Sequence, residues 1–134
     1  MKIRMKNNGT VFLIVVFAIA LLTTITVGIL AMTTEELKLM QNQLYAAQAM
    51  CTAEAGLNDA FAQIRSSSSW TTGFTNKAFS GGSYTVTVTG TLPNRTITST
   101  GTSSQGYMAR MAADVTIGTS SSYKIRIDNL RINE

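Results

Sequence analysis

The sequence predicts an α+β fold, in which a long N-terminal helix, first transmembrane and then amphipathic, packs on a small antiparallel β-sheet. Three observations predict it. Residues 10–32 contain no charged residue and no proline, residues 33–65 place apolar side chains at three- or four-residue steps, and segments after residue 83 alternate apolar with polar side chains. A helix followed by short strands places the extracytoplasmic part of the chain in two layers around one core.

The first segment, residues 1–9, is a basic leader that ends in Gly9. The charge-free run from Thr10 to Met32 follows at once, and a helix of that length is roughly 35 Å long, enough to cross a ~30 Å hydrocarbon layer. Three basic residues precede the run, and Glu35 and Glu36 follow it. The positive-inside rule therefore predicts a leader in the cytoplasm and a C-terminal part outside it.

Two other interpretations of this start are available. Ala18-Ile19-Ala20 has the form of a secretory cleavage site, but apolar sequence continues to Met32, well past the hydrophobic region of an ordinary signal peptide. From the residues alone, an uncleaved signal anchor is the stronger of the two.

The second segment, residues 33–65, is predicted to continue the same helix outside the membrane, because no turn signal separates the two. Gly28 and the threonines before it are the weak point of this helix, and Cys51 is expected to be a small buried side chain near the edge of the apolar stripe. The stripe consists of Leu37, Met40, Leu44, Ala47, Met50, Ala53, Leu57, Ala60 and Ile64.

The third segment, residues 66–134, is predicted to be a small β-sheet head. Short connections favour a meander of three or four antiparallel strands, and the amphipathic helix is expected to cover its apolar face. The aromatic residues Trp70, Phe74 and Phe79 are expected to hold a Ser/Gly-rich connector over the sheet edge. The predicted strands are 84–89, 95–100, 107–117 and 123–128, the last extended by Leu130 and Ile132.

Composition argues against several function classes. Eight of the eleven basic residues and all seven acidic residues lie beyond the leader, without a basic cluster, so no nucleic-acid partner is evident. Because the chain has one cysteine and no histidine, an intramolecular disulfide is excluded, and a Cys/His zinc site or a histidine-activated nucleophile lacks its residues. We predict that the chain is not an enzyme and uses no cofactor.

Several short motifs in the N-terminal half carry a resemblance to a known family. Asn8-Gly9-Thr10 before the apolar run, Thr34-Glu35-Glu36-Leu37, Asn42 and Ala53-Glu54-Ala55-Gly56-Leu57 resemble the N-terminal domain of PilX-type minor pilins. The same pattern occurs in the K-type minor pseudopilins of type II secretion. The resemblance covers roughly residues 5–65, and beyond them it is architectural only.

The resemblance implies a type IV pilin-like fold and a role as a structural subunit of a filament. Gly9 would precede the bond cut by a prepilin peptidase, and Thr10 would become the N-methylated terminus of a subunit stored in the bacterial inner membrane. The implied partners are that peptidase, membrane lipid before assembly, other major and minor pilins and an inner-membrane assembly platform. Glu54 would act in assembly through the motif that contains it.

One position departs from the family pattern. The fifth mature residue of most major pilins is a glutamate, and here it is Ile14. The resemblance therefore implies a minor subunit, at the tip of the filament or in its initiation. An uncleaved, single-pass membrane-anchored β-domain that presents its loops to a ligand stays open as the alternative function.

Overall fold

The computed structural model describes residues 8–120 and 123–132, without the side chain of Asn8. Most of the predicted leader therefore lies outside the described residues. The chain divides into two compact units, residues 1–41 (the anchor unit) and residues 42–134 (the head unit).

Helix α1 runs through Asn8–Ser66 as one α-helix of 59 residues. The predicted continuous helix is confirmed, and neither Gly28 nor the neighbouring threonines interrupt it. Helix formers and the absence of proline account for this length. After Ser66, backbone hydrogen bonds from Ser67 to Gln63 and from Trp70 to Ser67 close the helix end.

Five antiparallel strands form one sheet in the order β1-β2-β3-β4-β5. A meander between strands close in sequence needs only short turns, which the chain supplies. The four predicted strands are present as β2 to β5. Strand β1 was not predicted, since the sequence analysis places its residues Phe74 and Phe79 in a connector. The strands are β1 Phe74–Phe79, β2 Gly82–Thr91, β3 Asn94–Thr102, β4 Met108–Ile117 and β5 Ile125–Ile132.

Strand β1 forms although its side chains show no apolar alternation. All of its residues except the half-buried Phe74 are exposed. It pairs with β2 through a two-residue turn, Ser80-Gly81, in which both residues have positive φ (47° and 81°), the geometry that matches the twist of a hairpin. Backbone pairing with the edge of β2, and not a pattern of buried side chains, accounts for this strand.

The core of the head lies between the second half of α1 and the sheet. Leu57 and Ile64 of the helix are buried against side chains that the alternation had placed on one face of the strands, among them Val86, Ile97 and Val115. This confirms the predicted helix cover for the end of the stripe. Its earlier members are exposed, namely Leu37, Met40, Leu44 and Ala47.

Two glycines allow the helix to approach the sheet closely. A Cβ atom built on Gly101 of β3 would overlap the carbonyl oxygen of Ala49 and the amide nitrogen of Ala53. A Cβ atom on Gly56 of the helix would overlap Ser99 Oγ and lie 2.8 Å from a ring carbon of Tyr84. Small residues on both surfaces therefore set the distance between the two layers.

A β-bulge in β5 keeps its apolar residues on the helix side of the sheet. Val115 pairs with Ile127, but Asp114 pairs with Asn129, so Asp128 is the extra residue. Side chains alternate between the two faces of a strand, so the one extra residue places Leu130 on the same face as Ile127. The predicted extension of this strand is therefore confirmed, and its apolar residues stay about half exposed.

The other face of the sheet carries a ladder of threonine pairs. Thr85 lies opposite Thr100, and the pairs 87/98 and 89/96 continue the ladder across β2 and β3. Cross-strand threonine pairs stabilise antiparallel sheets by roughly 0.2–1 kcal/mol each. At its end, Asp114 accepts a hydrogen bond from Thr96 at 2.7 Å and forms an ion pair with Arg131 at 3.1 Å. Polar contacts thus connect β3, β4 and β5 on this face.

Candidate functional site: the exposed apolar helix

The largest apolar surface of the described chain is the first half of α1. Its large side chains between Val11 and Met32 are 48–71% exposed. The most apolar window of this helix has a mean hydropathy of 2.8, and none of it is buried within the structure. The helix is therefore long and apolar enough to span a membrane, as a single-pass anchor would require.

The threonines of this segment satisfy their hydroxyl groups within the helix. Thr23, Thr24 and Thr26 each donate a hydrogen bond to the carbonyl oxygen four residues earlier, at 2.7–2.8 Å. Thr33 and Thr34 do the same at 2.9 and 2.8 Å. An unsatisfied hydroxyl in hydrocarbon is costly, so this arrangement makes the segment compatible with lipid despite its polar residues.

The residues assigned to processing and assembly lie in two different units. Gly9 and Thr10 are in the first turn of α1 and are exposed, and a Cβ atom on Gly9 would meet nothing within 4 Å. Ile14 is one turn further on and is 60% exposed. Glu54 lies in the head unit, also exposed. Gly9, Thr10 and Ile14 therefore lie within the first two turns of α1 in the anchor unit, and Glu54 belongs to the head unit.

Cys51 was expected to be buried, and this prediction is wrong. Its side chain is exposed, whereas Thr52 and Ala53 next to it are buried. Consecutive helical residues point about 100° apart, so a helix that buries Thr52 and Ala53 turns Cys51 away from the sheet. The cysteine therefore faces solvent in the described chain.

A polar cluster that the sequence did not reveal ties α1 to β1 and β2. The ammonium group of Lys77 donates a hydrogen bond to Asp59 Oδ2 and forms an ion pair with that carboxylate, and the Tyr84 hydroxyl donates to the same oxygen at 2.7 Å. The Lys77 ammonium also lies 4.5 Å from the centre of the Phe74 ring. These contacts hold the exposed strand β1 to the helix.

The same cluster changes the ionisation of its members. The hydrogen bond from Lys77, and next the one from Tyr84, hold the pKa of Asp59 below its ordinary value. The hydrogen bond to Asp59 raises the pKa of Lys77, and burial is the main cause that raises the pKa of Tyr84. All three shifts favour a charged carboxylate, a charged amine and a neutral phenol at neutral pH.

A second set of polar contacts lies at the other end of the head helix. Gln48 donates to the carbonyl oxygen of Ser80 at 3.0 Å, and Tyr107 donates to Asn42 at 2.6 Å while its ring stacks on Tyr45. Within residues 8–120 and 123–132, no three His, Cys, Asp or Glu side chains are placed to hold a metal ion.

Comparison with known proteins found no matching family model, no matching curated protein and no matching solved structure.

Proposed function

We propose that this chain is a minor pilin or pseudopilin: a structural subunit, processed by a prepilin peptidase, that acts in the initiation or at the tip of a type IV pilus-like filament. One observation carries the proposal. The apolar half of α1, with its side chains unburied by the rest of the described chain, follows a basic leader that ends in Gly9 and continues into a helix packed on a sheet.

An exposed apolar helix of this kind has two suitable environments. In a bilayer, its fourteen Val, Leu, Ile and Phe residues favour insertion by roughly 4–8 kcal/mol in total. Among other helices, the same side chains stay in apolar surroundings, so leaving lipid for a filament need not cost that full amount. The threonine hydroxyls donate hydrogen bonds within the helix, so they need no further partner in the bilayer or among other helices.

In this proposal the subunit begins in the inner membrane with its head outside the cytoplasm, and the peptidase cuts between Gly9 and Thr10. The processed subunit then joins other pilins through the assembly platform. The charges on the two sides of the apolar run, basic before it and acidic at Glu35 and Glu36, support this orientation.

Ile14 supports a minor position in the filament. A buried terminal amine without a carboxylate partner is strongly unfavourable in an apolar core, and a polymer of this chain alone would repeat that cost at every subunit. A single copy at the tip need not supply a carboxylate to a subunit above it. Replacing Ile14 by Glu should therefore increase the number of copies per filament, which quantitative immunoblotting of sheared filaments measures. An unchanged copy number would contradict this role for Ile14.

The test of processing is mass spectrometry of the N-terminus of the native protein. We expect a mature chain that begins with a methylated Thr10, and a chain that retains Met1 would refute the proposal. The Gly9→Val precursor should stay unprocessed and outside filaments. Gly28→Val is the matched control, because a side chain there also meets nothing within 4 Å and it leaves the cleavage site intact.

The second candidate function is an uncleaved, membrane-anchored β-domain that binds a ligand. A cavity of about 330 Å³ in the head, lined by residues including Leu92, Ile117 and Tyr123, favours it. This candidate predicts that the wild-type protein and the Gly9→Val variant both keep residues 1–9 in the native protein, and that the substitution leaves the function unchanged.

A further inference from the structure

The end of the head at which α1 terminates contains a partly enclosed apolar cavity. Its volume is about 330 Å³, and Leu92, Pro93, Ile117 and Tyr123 form its apolar walls. Ser68 and Thr119 add one hydroxyl group each. This size is at the lower end of the range of small-molecule sites, and apolar walls with a few hydroxyl groups are the usual composition of such sites.

Backbone hydrogen bonds fix the walls of this cavity. The amide of Ile117 donates to the carbonyl oxygen of Pro93 at 2.8 Å, which joins the β2–β3 turn to the end of β4. The amide of Gly118 donates to the carbonyl oxygen of Lys124 at 2.8 Å, which joins β4 to the segment before β5. The cavity is therefore built on paired backbone and is formed before any ligand arrives.

Two cations lie in a depression that shares Tyr123 with the cavity. Tyr123 also borders a second depression, of about 480 Å³, whose lining includes Arg65 and Lys124. Arg95 is 7% exposed and donates a hydrogen bond to the carbonyl oxygen of Trp70 at 2.6 Å, and it borders a different depression together with Asp114 and Asp128. Among the described residues, no carboxylate forms an ion pair with any of these three cations.

We propose that this helix-end pocket binds a saccharide that carries a carboxylate. The apolar face of a sugar ring fits against the Tyr123 ring and the Leu92 and Pro93 side chains, and the two hydroxyl side chains can bond to sugar hydroxyl groups. The carboxylate is then placed toward the cations Arg65 and Lys124, where charge-assisted hydrogen bonds are available. Two cations are too few for the row of phosphate contacts with which a nucleic acid is held.

The test is a titration of the full-length protein in detergent, monitored by ligand-observed NMR. The acidic probe is a hyaluronan tetrasaccharide, which carries glucuronate, and the neutral probe is the chitin tetrasaccharide. We expect the acidic probe to bind at least several-fold more tightly than the neutral one. The double variant Arg65→Ala/Lys124→Ala should weaken the acidic probe on the order of tenfold and leave the neutral one unchanged. Arg110→Ala, which removes an exposed cation from the other face of the sheet, is the control for net charge.

Tyr123 is half buried against the core, so its removal could unfold the head. Leu92→Glu avoids this difficulty, since Leu92 is 47% exposed in the turn, and it should abolish binding of the acidic probe by repulsion. Three outcomes would each overturn the proposal. The first is equal binding of both saccharides, and the second is an Arg110→Ala effect as large as that of the double variant. The third is that a DNA duplex, titrated in the same way, binds and neither saccharide does. None of these measurements depends on cleavage at Gly9, so the pocket and the filament role can fail separately.

Discussion

Replacing Gly101 by alanine tests how closely the helix packs on the sheet. The added Cβ atom would overlap the carbonyl oxygen of Ala49 and the amide nitrogen of Ala53 and would lie 2.9 Å from the Cα atom of Ala53. All three atoms belong to helix backbone, so no flexible side chain can move aside, and the helix has to shift relative to β3. Overpacking of this kind costs about 1–3 kcal/mol.

This cost is large for a head unit whose core is small. For a unit of roughly 90 residues, each kcal/mol shifts Tm by about 4–8 °C, so Gly101→Ala should lower Tm by at least 4 °C. The assay is thermal unfolding of the full-length protein in detergent, followed by circular dichroism of the β-sheet and by Trp70 fluorescence.

Gly118→Ala is the matched control for this substitution. A Cβ atom at Gly118 meets its nearest neighbour at 3.4 Å, an ordinary contact, and its φ is not in the left-handed region. Its Tm should stay within about 2 °C of the wild type, corresponding to less than 0.5 kcal/mol. A Gly101→Ala variant as stable as Gly118→Ala would refute the close packing of α1 on β3.

Two further predictions concern the head. Asp59→Ala should lower its stability by about 1–2 kcal/mol, because it leaves the Tyr84 hydroxyl without its acceptor. The hydrogen bonds from Lys77 and then from Tyr84 lower the pKa of Asp59, so the stability difference between the wild type and Asp59→Ala should be full above the ordinary aspartate pKa of about 3.9 and should shrink as the pH falls below it. Urea unfolding of both proteins at pH 7 and at pH 3 measures this difference. An equal difference at the two pH values would contradict the ionic role of Asp59. Ile97→Ala should cost about 2–5 kcal/mol because Ile97 is fully buried, whereas Ile127→Ala, at a half-exposed position of β5, should cost under 1 kcal/mol; similar losses in urea unfolding would argue against the helix cover.

The sequence predicted those parts of the fold that repeat a local pattern. The charge-free run and the helical stripe predicted α1, and strict alternation predicted β2 and β4, because each of these patterns reflects burial along a single element. Strand β1 could not be predicted in this way, since its side chains are exposed and its existence depends on the edge of β2. In the same way, the bulge at Asp128 shows only in the register against β4.

In the candidate site, too, features of consecutive residues could be predicted, and contacts between residues distant in sequence could not. The exposed apolar helix with Gly9, Thr10 and Ile14 is a property of consecutive residues, and it could be read directly. The Asp59–Lys77 pair joins residues that are distant in sequence, so nothing local identifies it. The wrong prediction for Cys51 arose from its residue type, because free cysteine is among the residues that are most often buried. The helix instead buries Thr52 and Ala53 and leaves Cys51 exposed.

The choice of small residues at the helix–sheet contact bears on the proposed function. Gly56 and Gly101 bring the helix backbone against β3, and ion-paired and hydrogen-bonded side chains hold β1 to the helix on one side. These contacts fix the sheet to the part of α1 that lies in the head unit. This connection matters for the proposed filament role, because a force applied to this part of the helix has to move the sheet with it. Loosening this contact by Gly101→Ala should therefore impair filament initiation even where the precursor is still inserted and cleaved.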